Sequence, residues 1–206
     1  MLRAIDLLVR RGLRAVWLRG TPPPGPFVWA ANHHSWWDPF VAMTVLHRWR
    51  RRSALLMRQT NLQRYPFARP LGIFGTDEPR RGLDYLRAGR VLIVYPEGEL
   101  RPPGPPGRLA GGAGWYATRS GLPLCAAATR VLMRGDQHPE AYLWLVSVTD
   151  PGALPAALRT TLADLDGLVA TTDPRQPLPG FSRVVAGRRS ADEQLERMAR
   201  LLTWRP

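Results

Sequence analysis

Two histidines and an aspartate stand within one short stretch, Asn32-His33-His34-Ser35-Trp36-Trp37-Asp38. Four residues separate His33 from Asp38, so a single turn brings the carboxylate onto the imidazole. An aspartate that accepts from one ring nitrogen fixes the tautomer and leaves the other nitrogen free as a base. No cysteine is near, and Ser35 adjoins the imidazoles without being aimed at one. The stretch therefore reads as a base that activates a hydroxyl on a substrate. A purely structural reading competes with it: Asp38 as a helix N-cap, Pro39 as the first helical residue, and the histidines as polar loop groups.

A second polar stretch, Pro96-Glu97-Gly98-Glu99-Leu100-Arg101, offers a carboxylate and a guanidinium beside a flexible glycine. An arginine fork there suits a phosphate or a carboxylate. Taken singly, Glu97 reads equally as turn chemistry and Arg101 as a solvated charge. A third stretch runs from Gly72 to Asp77.

The elements around these stretches explain how they meet. Pro26 to Ala30 reads as a strand, and Phe40 to Leu46 as a buried helix. Ser53 to Arg58, Leu71 to Asp77 and Arg90 to Tyr95 read as further strands, the last with the most continuous apolar run. Asn61 to Arg69 is a broken helical piece with Pro66 inside, and Arg80 to Ala88 is a helix closed by Gly89. Ala110 to Ser120 is a glycine-rich helix stopped by Gly121. Leu122 to Arg130 and Ala141 to Val148 are strands around the polar turn at Gly135-Asp136-Gln137. Ala156 to Leu168 is helical, Thr171 to Phe181 is loop, and Ala191 to Leu202 is an amphipathic helix with Leu195, Met198 and Leu202 on one face. Strands alternating with helices predict an α/β fold, one domain with a mixed or mostly parallel sheet flanked by helices. In such a sheet, groups at the carboxyl ends of strands converge on one crevice.

The 206 residues suffice for a substantial core, and 45% are hydrophobic. The formal net charge is +13, and every basic side chain that makes it up is arginine, with no lysine present. That sign favours an anionic partner: a phospholipid surface, a phosphorylated substrate or nucleic acid. Without lysine, Schiff-base chemistry and a phosphate-loop lysine are excluded. The single Cys125 excludes an intramolecular disulfide and, set in the apolar run Leu122 to Ala128, reads as a small buried hydrophobe. No secretory signal and no run of eighteen apolar residues is evident. Leu2 to Arg19 places Leu2, Ile5, Leu8, Val9, Leu13, Val16 and Trp17 at helical spacing among arginines. Residues 1–20 are thus expected to form a basic amphipathic helix, lying in a membrane interface or packing on the domain of residues 26–206. A Pro/Gly connector at Gly20 to Pro26 follows.

The order and separation of the polar stretches resemble the glycerolipid acyltransferase family, whose best-known members are the 1-acylglycerol-3-phosphate acyltransferases. The family's first block, Asn-His, four residues and Asp, is matched by Asn32 to Asp38. Its second, typically Gly-x-x-Phe-x-x-Arg, is similar to Gly72-Ile73-Phe74-Gly75-Thr76-Asp77. Its third, typically Phe-Pro-Glu-Gly-Thr-Arg, is similar to Tyr95-Pro96-Glu97-Gly98-Glu99-Leu100-Arg101, with the arginine displaced by one. A fourth, an apolar strand opened by proline, fits Gly121-Leu122-Pro123-Leu124 loosely. The resemblance covers residues 27 to 130.

It implies a glycerol-phosphate-acyltransferase-like fold and acyl transfer from acyl-CoA or acyl carrier protein to a lipid hydroxyl, with no cofactor and no metal. The acceptor it implies is lysophosphatidate or a related lysophospholipid, an aminolipid or pigment lipid being the alternative. His33 becomes the general base and Asp38 its orienter. His34, one residue nearer Asp38, is equally competent chemically, and it is family spacing that selects His33. Glu97, Gly98 and Arg101, with Gly72 and Arg80, become the acceptor side of the site. An anionic membrane surface is the implied partner, and the cytoplasm, peripheral on the inner face of the cell membrane, the implied location. Two departures bear on the headgroup: Asp77 stands where the second block has its arginine, and Arg108 is the nearest substitute for a lysine after the third.

Two other classes compete. A nucleic-acid-binding protein would use the positive charge and eight tryptophans, but the arginines are dispersed and no binding motif is present. A His/Asp metal hydrolase would use His33, His34, Asp38 and His47, but the spacing matches no metal motif.

Overall fold

The computed structural model describes residues 2–203, without the side chains of 196, 197 and 201–203. Its elements in order are α1 (Leu2–Gly12), β1 (Ala15–Arg19), β2 (Val28–Ala31), α2 (Asp38–Arg48), β3 (Ser53–Met57) and α3 (Gln59–Arg64). A 3-10 turn over Pro66–Leu71 leads to β4 (Ile73–Gly75), α4 (Pro79–Arg87), β5 (Val91–Val94), α5 (Gly112–Ser120), β6 (Leu124–Leu132) and β7 (Glu140–Val148). A second, over Pro151–Ala153, leads to α6 (Leu154–Thr171), β8 (Ser182–Ala186) and α7 (Ala191–Thr203).

One eight-stranded sheet has the order β4-β3-β5-β2-β6-β7-β1-β8. Strands β4, β3, β5, β2 and β6 are mutually parallel. Strand β7 runs antiparallel to β6, β1 runs parallel to β7, and β8 antiparallel to β1. The mixed, mostly parallel sheet expected from the sequence is the one observed. Its central strands are buried on both faces, which is why they read as unbroken apolar runs. Trp29, Ala31, Val91, Ile93 and Cys125 pack on the side of α1 and α2. Val28, Ala30, Leu92 and Val94 pack with Leu83, Leu86, Tyr116 and Leu158 of α4, α5 and α6 on the other. Cys125 is fully buried, and burial pushes its thiol up to about 12.

The N-terminal expectation needs correction. The helix ends at Gly12, and Ala15–Arg19 is a strand inside the sheet, so residues 1–20 do not form one helix set apart from 26–206. Val16 and Trp17 continue the apolar helical spacing, but β1 finds ladder partners in both β7 and β8, and that pairing outweighs the local pattern. Helix α1 itself packs on the domain through buried Ile5 and Val9, and Arg48 of α2 grips Asp6 through two nitrogens. Its outer face still shows Leu7 and Leu8 to solvent beside Arg3 and Arg11. Among the described residues no helix is long and apolar enough to cross a membrane. Strand β8 has no counterpart in the sequence reading: its pattern is mostly exposed, and only Val185 is buried. On α7, Leu195 and Met198 are exposed, and the side chain of Leu202 lies outside the described residues.

Candidate active site

The carboxyl ends of β2, β3, β4 and β5 lie at one end of the sheet, and the loops leaving them build the site. Strand β2 ends at Ala31, and the chain turns through His33 into α2. His33 Nδ1 lies 2.9 Å from Asp38 Oδ2. The same oxygen accepts the backbone N–H groups of His34 and Ser35, each at 2.9 Å. Asp38 is the first residue of α2, yet its carboxylate is turned back onto the loop and does not cap the helix. This geometry separates the two readings of the sequence: the aspartate orients the imidazole. The Asp38 side chain is wholly buried, while that of His33 is 21% exposed and opens to a cavity. With Nδ1 donating to the carboxylate, Nε2 of His33 is left as the acceptor, as a general base requires.

Long-range contacts hold this loop in place. The Asn32 amide bonds the backbone of Thr129 in both directions, accepting from N at 2.8 Å and donating to O at 3.1 Å. It thereby extends the β2–β6 ladder beyond the last strand residue. Glu97 accepts from the His33 N–H through Oε2 at 2.7 Å and from the Gly107 N–H through Oε1 at 2.8 Å. The His33 carbonyl accepts from the Arg101 N–H at 2.8 Å. Glu97, expected on the acceptor side, is therefore committed to the backbone on both sides of the site. The Tyr95 ring stacks on the His33 ring at 4.4 Å between centroids. Burial, with the Asp38 charge in the same direction, holds its phenol well above its ordinary range, so it is neutral beside the base.

The two histidines differ in their hydrogen bonds. His34 Nε2 accepts from the Val131 N–H at 3.0 Å, and its side chain is only 4% exposed. Burial, ahead of the charges around it, holds its pKa below the ordinary value, so the ring stays neutral. His34 ties the loop to β6, and His33 alone of the pair faces the cavity.

That cavity, of about 420 Å³, is lined by His33, Pro39, Leu55, Leu56, Met57 and Tyr95, with Arg58, Asn61, Thr76, Gly98, Glu99 and Leu100 toward its mouth. Gly98 lines it and adopts φ +71°, a conformation that favours glycine. Three other expectations are corrected. Gly72 precedes β4 at the opposite end of the sheet. There it serves packing: φ is +88°, and a Cβ would come within 2.6 Å of Arg90 Nη1 and 2.9 Å of Ser53 O. Arg80 is exposed on α4 and does not line the cavity. Arg101 is outside the lining as well, its guanidinium held by Glu99 at 2.6 Å. The guanidinium that does line the cavity is Arg58, which the sequence reading passed over as a strand end. Its signal was a basic residue just past the carboxyl end of a buried strand. Trp37 fills the space over Gly12, where no Cβ fits, whereas Trp36 is 58% exposed against Phe40. Among the described residues no three His, Cys, Asp or Glu side chains converge as metal ligands.

Comparison with known proteins bears on this arrangement. Residues 18–76, the segment carrying His33, Asp38 and Arg58, match the family model described as Acyltransferase. Among solved structures the fold is similar to that of the 1-acyl-sn-glycerophosphate (LPA) acyltransferase PlsC from Thermotoga maritima. The TM-score is 0.58 and the identity 16%, over 84% of this chain and 81% of that one. No curated protein sequence matches this chain.

Proposed function

We infer that this chain, whose residues 18–76 match the Acyltransferase family model, moves a fatty acyl group from a thioester to the hydroxyl of a lyso-lipid. The observation that carries the reading is the His33–Asp38 pair at 2.9 Å, with the oriented imidazole lining a cavity that the buried His34 does not reach. The donor is acyl-CoA or acyl carrier protein, and no cofactor or metal takes part. The acceptor is lysophosphatidate, as the name of the structural relative suggests, or a related lysophospholipid.

The chemistry balances with this chain's own groups. His33 Nε2 takes the proton of the acceptor hydroxyl as its oxygen forms the ester bond to the thioester carbon. The carbon–sulfur bond then breaks, and the imidazolium returns the proton to the leaving thiolate. The buried Asp38 carboxylate holds the ring and stabilises the imidazolium between these steps. Such a base supplies ~10²–10⁴-fold, and positioning supplies much of the remainder. Pro39, Leu55, Leu56 and Met57 offer the apolar wall for the start of the acyl chain, and Arg58 the charge for a headgroup anion.

A lipid acceptor places the enzyme at a membrane. Exposed Trp36, Phe67 and Leu100, the outer Leu7 and Leu8 of α1, and the net charge of +13 suit a peripheral site on an anionic inner leaflet. The test is transfer of labelled acyl groups from acyl-CoA and from acyl carrier protein to a panel of lyso-lipids, beside His33→Ala. Transfer by the wild type that is lost in His33→Ala, with the fold intact by circular dichroism, supports the reading. Undiminished transfer by His33→Ala sinks the assigned base.

A further inference from the structure

The mouth of the His33 cavity lacks the cradle of unengaged cations that a phosphomonoester dianion calls for. Arg58 Nη2 lies 4.0 Å from Glu99 Oε2, and Glu99 Oε1 holds Arg101 Nη2 at 2.6 Å. Arg69 and Arg81, around the start of α4, are both committed to Glu78. Asp77 follows Thr76 of the lining, is exposed, and makes no ion pair among the described residues. Of the lining, Arg58 and Glu99 carry opposite charges, with Arg101 behind Glu99 and Asp77 beside Thr76 just outside it, and the four sum to zero charge. A further acceptor stands beside Asp77. Gln59 Oε1 is buried without a hydrogen bond, and a Cβ at Gly75 would collide with it and with Asp77 Oδ1.

We propose that the acceptor headgroup is zwitterionic, an ammonium joined to a phosphodiester, and that Arg58, Glu99 and Asp77 select it over a phosphomonoester. The proposal rests on the acyl-transfer reading of the site and narrows its acceptor. The Arg58–Glu99 pair is loose and about half exposed on both sides, so little holds it together in water. A zwitterion replaces it charge for charge: the phosphodiester takes the place of Glu99 at Arg58, and the ammonium takes the place of Arg58 at Glu99. Asp77, exposed beside Thr76, supplies a further acceptor for ammonium hydrogens. A phosphomonoester carries about −1.5 to −2 charges at neutral pH, finds a single guanidinium, Arg58, in the lining, and meets Glu99 and Asp77 as well. Discrimination of this kind comes from the repulsive element as much as from the attractive one.

The experiment compares kcat/KM for lysophosphatidylethanolamine and lysophosphatidate in neutral detergent micelles, with one acyl-CoA donor. The wild type is set beside Asp77→Arg, Asp77→Asn and Glu99→Gln. The expected result is a wild-type preference for the zwitterion that moves toward lysophosphatidate by roughly tenfold in Asp77→Arg, and less in Asp77→Asn and Glu99→Gln. A wild-type preference for lysophosphatidate overturns the proposal, as does a ratio that none of the three substitutions moves. Folded protein that acylates neither lyso-lipid, nor any other in the wider panel, overturns the acyl-transfer reading itself and this proposal with it. Acylation confined to other acceptors leaves that reading standing and overturns the headgroup assignment alone.

Discussion

The carboxylate of Glu97 accepts the backbone N–H of His33 at 2.7 Å, a bond that joins residues 64 positions apart. Its other oxygen accepts from Gly107. One side chain just past β5 thus fixes both the loop that carries His33 and the far end of the Pro/Gly segment that follows Arg101. The acidic residue of the second polar stretch acts on the base through the backbone.

Glu97→Ala should therefore lower both stability and turnover. Two backbone donors lose their partner, at ~1–3 kcal/mol for each that stays buried, so the thermal midpoint falls. Turnover falls because the imidazole is no longer held at its working angle. Glu97→Gln keeps one acceptor oxygen and should restore part of both, measured by thermal melts and by steady-state kinetics. Turnover in Glu97→Ala equal to wild type would contradict this role.

Asp38→Asn separates orientation from chemistry. The amide fits the same space and can keep its one oxygen on His33, His34 and Ser35, all of which bond a single oxygen of Asp38. It removes the negative charge that stabilises the imidazolium. kcat should drop by at least ~10²-fold, with KM for the acyl donor little changed. An unaltered kcat would remove Asp38 from the mechanism.

Two separate windows are expected in acid stability. His34 is held neutral by burial, below its ordinary value of 6.5. A group with a lowered folded pKa contributes stability that is present above the unfolded value and lost as pH falls through the folded one. Protonation, once pH has fallen through that lowered value, also removes the acceptor used by Val131. Glu78 lies at about 2 rather than 4.5, chiefly through the Gly75 N–H and then Arg81 and Arg69. Its contribution is present above 4.5 and is lost as pH falls toward 2. Melting temperatures followed from pH 7 to 2 should show both declines. His34→Gln should flatten the first and Glu78→Gln the second, and a decline unchanged in its variant would refute that assignment.

Removal of residues 2–19 should unfold the domain. It deletes β1, which pairs with both β7 and β8, and exposes the surface under Ile5 and Val9, each worth ~1.5–3 kcal/mol. The membrane role of α1 needs a gentler change. Leu7→Ser with Leu8→Ser leaves Ile5 and Val9 buried and should weaken binding to anionic vesicles at unchanged melting temperature. Equal vesicle binding by wild type and variant would assign α1 to packing alone.

The sequence by itself determined the class of fold, because strands buried on both faces and helices ended by glycine leave local signatures. Val91 to Val94 is one such strand, and Gly121, in the left-handed region, one such stop. It also placed a histidine pair within one turn of Asp38, so that the His33–Asp38 bond is local. Tertiary structure decided whatever depends on distant partners. Ala15 to Arg19 continues a helical pattern, but becomes a strand because β7 and β8 offer it a ladder. His33 and His34 are equivalent by composition, and Val131, 97 residues from His34, takes the latter out of contention. Gly72 sits in a chemically suggestive stretch, but the direction of β4 puts it at the wrong end of the sheet. Arg58 gave only the signal of a basic residue just past a buried strand, and gained its place because parallel strands deliver their carboxyl ends to the same crevice.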